Sequence, residues 1–116
     1  MRPSESLTFQ AVKRALAAGL LRVSSHAIEE AEADQLTLPQ IQSSTTSGEC
    51  IEDYPTDPRG PSCLVLGQLA DGSPIHALWG FDAFFQQAIL ITVYLPDPHL
   101  WTADFRRRNP RDDESE

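Results

Sequence analysis

The hydrophobic pattern of the chain changes at Gly48, and this change limits the folds that the sequence can adopt. Before Gly48 the apolar residues recur every three or four positions, which is typical of amphipathic helices. After Gly48 they follow a period of two and include many β-branched side chains, which is typical of strands. Helices that precede strands in this way favour an α+β domain, in which the helices pack on a sheet.

Three helices are predicted before Gly48, and each has a side chain suited to cap its first turn. They cover residues 7–21, 26–34 and 37–47, with Ser6, Ser24 or Ser25, and Thr37 as the caps. Gly19 lies near the end of the first helix, and Pro39 falls in the first turn of the third.

Four strands are predicted after Gly48, at residues 49–54, 62–69, 74–80 and 88–95. The pair Asp71-Gly72 predicts a tight turn that sets Ala70 opposite Ser73. The expected fold is therefore an α+β domain in which N-terminal helices pack on a four-stranded antiparallel β-meander.

The predicted register assigns side chains to the two faces of the sheet. The face covered by helices is expected to carry Leu64, Leu66, Ile75, Ala77, Trp79, Ile89, Ile91 and Val93. The opposite face is half polar, and on it His76 is expected beside Thr92 and Tyr94.

The length of 116 residues is that of one domain, predicted at residues 1–108 and followed by a disordered polar tail at 109–116. No apolar run approaches the roughly 18 residues that a membrane helix needs. The N-terminus also lacks the apolar region of a secretory signal, so a cytoplasmic protein without a membrane partner is expected. In that compartment Cys50 and Cys63 are expected to be reduced thiols.

The charge of the chain is unevenly distributed. Residues 1–25 hold four basic residues and one acid, whereas residues 26–104 hold twelve acids and one arginine, within a net charge of −8. An acidic domain repels nucleic acid. Any RNA-binding surface would therefore need the first helix together with the run Arg106-Arg107-Arg108.

Several short motifs occur in order along the chain. They are Ser25-His26-Ala27, Gly48-Glu49-x-Ile51-Glu52-Asp53-Tyr54, Pro74-Ile75-His76 and Ile91-Thr92-Val93-Tyr94-Leu95-Pro96. Over residues 22–104 this succession resembles the bacterial domain-of-unknown-function family 4258 (DUF4258). The resemblance implies a RelE-like fold related to the RelE and MqsR toxins. It also implies an antitoxin-like protein as cognate partner and messenger-RNA endonuclease activity held in check by that partner.

Metal-independent RNA cleavage needs a base, an acid and a cation, and the chain has candidates for each. These are His76, Tyr94, His26, Arg59 and Arg106. His76 beside Tyr94 on the polar face is the sharpest pair, with Arg106 or Arg59 to hold the phosphate charge. No cofactor is expected, since no nucleotide-binding or zinc-ribbon motif is present.

Other interpretations stay open for the same residues. His76 can be a structural strand histidine bonded to Thr92 or Tyr94, and His26 can help to fix a helix cap. The leading hypothesis is a toxin-like component of a bacterial toxin–antitoxin pair that acts as an endoribonuclease. The alternatives are a non-catalytic protein-interaction module of the same fold and a small-molecule or metal-binding protein using His26 and His76. The aromatic residues of the 81–87 loop either form a flap over the core or form an exposed projection that binds a partner.

Overall fold

The structure, a computed structural model, describes residues 6–110 as three helices and one five-stranded sheet. The helices are α1 (Leu7–Ala17), α2 (Ser25–Ala33) and α3 (Leu38–Thr46). The strands are β1 (Leu21–Val23), β2 (Glu49–Tyr54), β3 (Ser62–Gln68), β4 (Pro74–Asp82) and β5 (Gln87–Tyr94). The spatial order is β1-β5-β4-β3-β2. The predicted α+β class is confirmed, whereas the prediction of four antiparallel strands is wrong because β1 adds a parallel fifth strand beside β5.

Strand β1 lies where the first helix was expected to continue. Helix α1 ends at Ala17, and Gly19 takes a positive φ of 74°. The Leu20 amide then donates to the Ala15 carbonyl at 2.9 Å, which closes the helix with a Schellman motif. The chain leaves this turn extended, and Leu21–Val23 pairs with β5. Three residues are too few for a period to be visible in the sequence.

The other two helices begin at the predicted caps. The Ser24 hydroxyl accepts a hydrogen bond from the Ala27 amide at 3.0 Å at the start of α2. Thr37 and Gln40 form a capping box at the start of α3. Helix α3 then lies so close to β3 that a Cβ atom on Gly67 would stand 2.3 Å from the Ser44 carbonyl oxygen. Only glycine fits at that position.

The turn between β3 and β4 is one residue longer than predicted. Leu69, not Ala70, pairs with Ser73, and Gly72 has a φ of 88° in the resulting three-residue loop. Since side chains alternate along a strand, this shift reverses the faces of β3. Cys63 and Val65 lie under the helices, and Leu64 and Leu66 lie on the other face, which corrects the expected pattern.

A bulge in β5 makes a second correction. Trp79 pairs with Leu90 and Leu78 pairs with Thr92, which leaves Ile91 as an extra residue. Leu90 therefore faces the helices in place of the expected Ile89 and Ile91. Beyond the bulge the predicted faces hold, and His76 is directly opposite Tyr94.

The helices bury the inner face of the sheet. Trp79 is fully buried there, and its indole N–H donates to the Thr45 hydroxyl at 2.8 Å. Its neighbours are apolar side chains of α1, α3 and the central strands, including Phe9, Val12, Ile41 and Val93. Among residues 6–110, no helix is long and apolar enough to cross a membrane.

A C-terminal segment covers part of the outer face of the sheet, and we call residues 97–110 the strap. Its two arms pair at Trp101 and Arg108, and the Asn109 amide donates to the Leu100 carbonyl at 2.8 Å. Asn109 was expected to begin the polar tail, yet its side chain also donates to the Trp101 carbonyl at 2.8 Å. Residues 111–116, the rest of that predicted tail, lie outside the described residues.

Candidate functional site

His76 lies at the centre of a cluster between the outer face of the sheet and the strap. It is fully buried, and its Nε2 stands 2.9 Å from the Phe105 carbonyl oxygen. A carbonyl can only accept, so we assign the ring proton to Nε2. Nδ1 then accepts a hydrogen bond from the Tyr94 hydroxyl at 3.2 Å. Both ring nitrogens of a neutral imidazole are thus engaged within the protein.

The surroundings of His76 favour its neutral form. Burial lowers the pKa of the His76 ring, and this effect outweighs the Phe105 carbonyl and the Glu52 carboxylate, which both favour the protonated ring. Burial likewise raises the pKa of the Tyr94 hydroxyl. Trp101 packs edge-on against the imidazole with ring centroids 4.3 Å apart. The imidazole at the centre of the cluster is therefore buried and neutral.

Two ion pairs hold the strap over this cluster. Arg106 reaches Glu49 on β2, with Nη2 2.5 Å and Nε 2.8 Å from Oε1. Arg108 makes two hydrogen bonds of 3.1 Å to Glu52 on the same strand. Its guanidinium also stacks 4.7 Å above the Trp101 ring. Two arginines of the basic run are thus matched by carboxylates.

Tyr54 completes the ion-pair side of the cluster. Its hydroxyl donates to Glu52 Oε1 at 2.5 Å, and burial together with this bond raises the pKa of Tyr54 to about 12. Burial alone would raise the pKa of the Glu52 carboxyl. The hydrogen bonds from Arg108 and Tyr54 outweigh that effect and hold the pKa of Glu52 below its usual value.

The structure brings two of the five candidate residues into contact. His76 and Tyr94 are in contact, whereas Arg106 binds Glu49 on β2, two strands away from β4 in the sheet. His26 instead stands on α2, largely exposed, with Nε2 3.3 Å from Glu30. Arg59 pairs with Asp57 at 3.2 Å at the rim of a separate apolar cleft of about 200 Å³ on the outer face. Those two residues belong to other surfaces.

Sequence reasoning missed most of the strap side of the cluster. Phe105 contributes a backbone carbonyl, which is turned toward His76 by a positive φ of 61°. The pattern of side chains in the sequence cannot predict a contact made by a backbone carbonyl. Glu49 and Glu52 belong to the Gly48–Tyr54 motif, but their partners Arg106 and Arg108 are more than fifty positions away. The spacing of these residues in the sequence does not indicate that they pair, because the pairing depends on the position of the strap in the fold.

The cluster offers hydrogen-bonding and proton-holding groups rather than metal ligands. Throughout residues 6–110, no three His, Cys, Asp or Glu side chains are grouped so as to hold a metal ion. Cys50 and Cys63 are both buried free thiols, and the neighbouring Cys50 thiol together with burial raises the pKa of Cys63.

Comparison with known proteins assigns the chain to a family. The model of the family described as Domain of unknown function (DUF4258) matches residues 23–95. The match spans α2, α3 and the strands from β2 to β5, so the chain belongs to the DUF4258 family. Searches of curated proteins and of solved structures found no significant match. The strap, and with it Trp101, Phe105 and Arg106, lies beyond the matched residues.

Proposed function

We propose that this chain is the protein-binding, toxin-like component of a bacterial toxin–antitoxin pair, and that it works through a protein partner rather than by cleaving RNA at His76. The observation that carries the proposal is the closure of the His76 cluster. The imidazole is fully buried, and both of its nitrogens are bonded within the chain.

A catalytic base must come within about 3 Å of the proton that it removes. The 2′-hydroxyl of an RNA strand has no path to His76 while Trp101 and Phe105 cover the ring. The charge at this surface also disfavours RNA, because Glu49 and Glu52 balance Arg106 and Arg108. A closed and neutral cluster is instead the arrangement of a structural anchor.

Membership of the DUF4258 family and the order of its motifs support the toxin–antitoxin part of the proposal. The relation to RelE and MqsR belongs to the same proposal, as do the bacterial source, the cytoplasmic location and the antitoxin-like partner. The five-stranded mixed sheet departs from the four-stranded antiparallel sheet expected of a RelE-like fold.

One observation favours a second candidate function, a metal-independent endoribonuclease. His76 and Tyr94 are in contact, and the cations needed for phosphate lie on the strap that covers them. If the strap is displaced, the His76–Tyr94 pair becomes exposed on the polar face, and Arg106 and Arg108 lose their carboxylate partners and can bind phosphate. This candidate requires the strap to open.

The test of both candidates combines binding and cleavage. The product of the neighbouring reading frame is mixed with the purified chain, and complex formation and melting temperature are measured. A stable complex with a raised melting temperature is expected, because a partner that binds only the folded chain stabilises it. Purified chain is also incubated with total RNA at low salt, and no cleavage is expected. Cleavage that disappears in His76→Ala would overturn the proposal in favour of the nuclease.

A strap-opening variant makes the cleavage test stricter. Glu49→Gln with Glu52→Gln removes both carboxylates that hold the strap, and His76 is unchanged. Asp57→Asn with Asp71→Asn is the matched control, since it neutralises two carboxylates elsewhere. RNA cleavage that appears with the first pair and not with the second would establish the endoribonuclease candidate. Inactivity of both pairs is the expected result.

A further inference from the structure

The hairpin between β4 and β5 exposes two aromatic side chains side by side. Phe84 is 86% exposed and Phe85 is 61% exposed. Their rings pack edge to face with centroids 4.8 Å apart. Aromatic side chains that stand in water as an ordered pair are typical of the centres of protein interfaces.

The pair is held rigidly before any partner arrives. Asp82 Oδ1 accepts hydrogen bonds from the Phe84 amide at 2.9 Å and from the Phe85 amide at 3.2 Å. Gln86 closes the turn with a φ of 53°, and its side chain donates to the Ala83 carbonyl at 2.6 Å. Binding through this tip therefore requires little further ordering of the loop.

A shallow groove of about 120 Å³ runs beside the tip. Its walls include Ala11, Arg14, Ala18 and Leu20 on the α1 side and Phe81 and Gln86 on the hairpin side. Leu20 is 43% exposed, so apolar surface continues from the hairpin tip toward α1. We call the tip and the groove together the hairpin surface.

Positive charge borders the hairpin surface in an otherwise acidic chain. Arg14 lines the groove, and Arg22 stands 3.9 Å from Asp82 at the base of the hairpin. The acidic helix α2 is placed toward the other end of β5, where Glu30 accepts from the Val93 amide at 3.1 Å. The chain as a whole carries a net charge of −8, so the basic residues beside the hairpin surface distinguish it from the rest of the chain.

From these observations we infer that the hairpin surface binds an amphipathic, acidic segment of a partner protein. The segment's apolar side chains would cover Phe84 and Phe85 and enter the groove, and its carboxylates would face Arg14. A second copy of this chain supplies no matching acidic segment, and a two-fold axis close to Arg14 would bring two equal positive charges together. The inference rests on the proposed function and names the surface that serves it.

The experiment measures the affinity of the neighbouring reading frame's product for three variants of the full chain. Phe84→Ser with Phe85→Ser is expected to weaken binding by about 30-fold. Arg14→Glu is expected to slow association about tenfold at low salt and to flatten its salt dependence. Ile28→Ser removes a similarly exposed apolar side chain from α2 and is expected to change affinity less than twofold.

The possible failures are distinguishable. If no complex forms at all, the proposed function and this inference fall together. If the complex forms but neither the phenylalanine nor the Arg14 variant weakens it, only the inference falls. Wild-type chain that dimerises alone, and becomes monomeric in the phenylalanine variant, would assign the surface to a second copy. An RNA oligonucleotide that binds with dependence on Arg14 and not on Phe84 or Phe85 would likewise overturn the inference.

Discussion

The two faces of the sheet are covered by very different means. The inner face is covered by α1 and α3, and its core is apolar apart from a few bonded groups such as Thr45 under Trp79. The outer face is covered in part by the strap, which has no helix or long strand. There His76, the Phe105 carbonyl and two arginine–glutamate pairs make the contact.

Each face buries one tryptophan, and the two differ in what surrounds them. Trp79 is enclosed by side chains from several elements and is bonded to Thr45. Trp101 lies between the His76 ring and the Arg108 guanidinium. The inner face is thus stabilised by area removed from water. The strap is stabilised by a small number of directional contacts, each of which one substitution can remove.

The first prediction breaks the inner face. Trp79→Ala is expected to lower the free energy of unfolding by about 3–5 kcal/mol, because it opens a large cavity in the core. Urea unfolding measures the loss. Trp101→Ala should cost less and should instead speed amide hydrogen exchange at Arg107 and Asn109, since the strap can open locally. Equal losses for the two variants would show that the strap is part of one cooperative core.

This contrast also explains what the sequence could and could not predict. Strands β2 to β5, which were predicted to within two residues at each end, and the caps of α2 and α3 follow from periodic apolar residues and from short-range capping. The meeting of His76 with Tyr94 was predicted because both lie on strands whose faces alternate. The hydrophobic period of a sequence therefore predicts the positions of side chains that lie on regular helices and strands.

The failures share a different cause. The extra residue in the Asp71-Gly72 turn reversed the faces of β3, since a turn of two and a turn of three residues have similar sequences. Strand β1 is too short to show a period. The strap binds His76 through a main-chain carbonyl and through residues far along the chain, and neither leaves a local pattern.

The second prediction breaks the outer face at its centre. His76→Ala leaves the Tyr94 hydroxyl and the Phe105 carbonyl without their partner, and each is a polar group in a buried site. The free energy of unfolding is expected to fall by about 1–3 kcal/mol. Tyr94→Phe removes only the hydroxyl and should cost about 1 kcal/mol. Unchanged stability in His76→Ala would show that the imidazole is not an anchor of the strap.

The third prediction concerns pH, which tests the same anchor without removing it. The pKa of His76 is lower in the folded chain than in the unfolded chain, so the unfolded chain binds the proton more readily. Stability is therefore full above about pH 6.5 and declines as the pH falls below that value. Melting temperatures between about pH 7.5 and 5.5 measure the decline, above the range in which carboxyls titrate. His76→Gln should remove this component and His26→Gln should not. The same slope in His76→Gln would assign it to other groups.

The last prediction separates the end of the strap from the residues that follow it. Residues 111–116 read Arg-Asp-Asp-Glu-Ser-Glu and offer no apolar side chain to bury, so a chain that ends at Pro110 should melt with the full chain. A chain that ends at Arg108 also loses Asn109, which donates to the Leu100 and Trp101 carbonyls and ties the two arms of the strap together. That chain is expected to lose about 1 kcal/mol, or roughly 4–8 °C in melting temperature. Asn109→Ala in the full chain is the control, and it should reproduce the part of the loss that comes from the side chain. A fall in melting temperature already at Pro110 would mean that residues 111–116 contribute to the folded state, and the strap would then extend beyond Pro110.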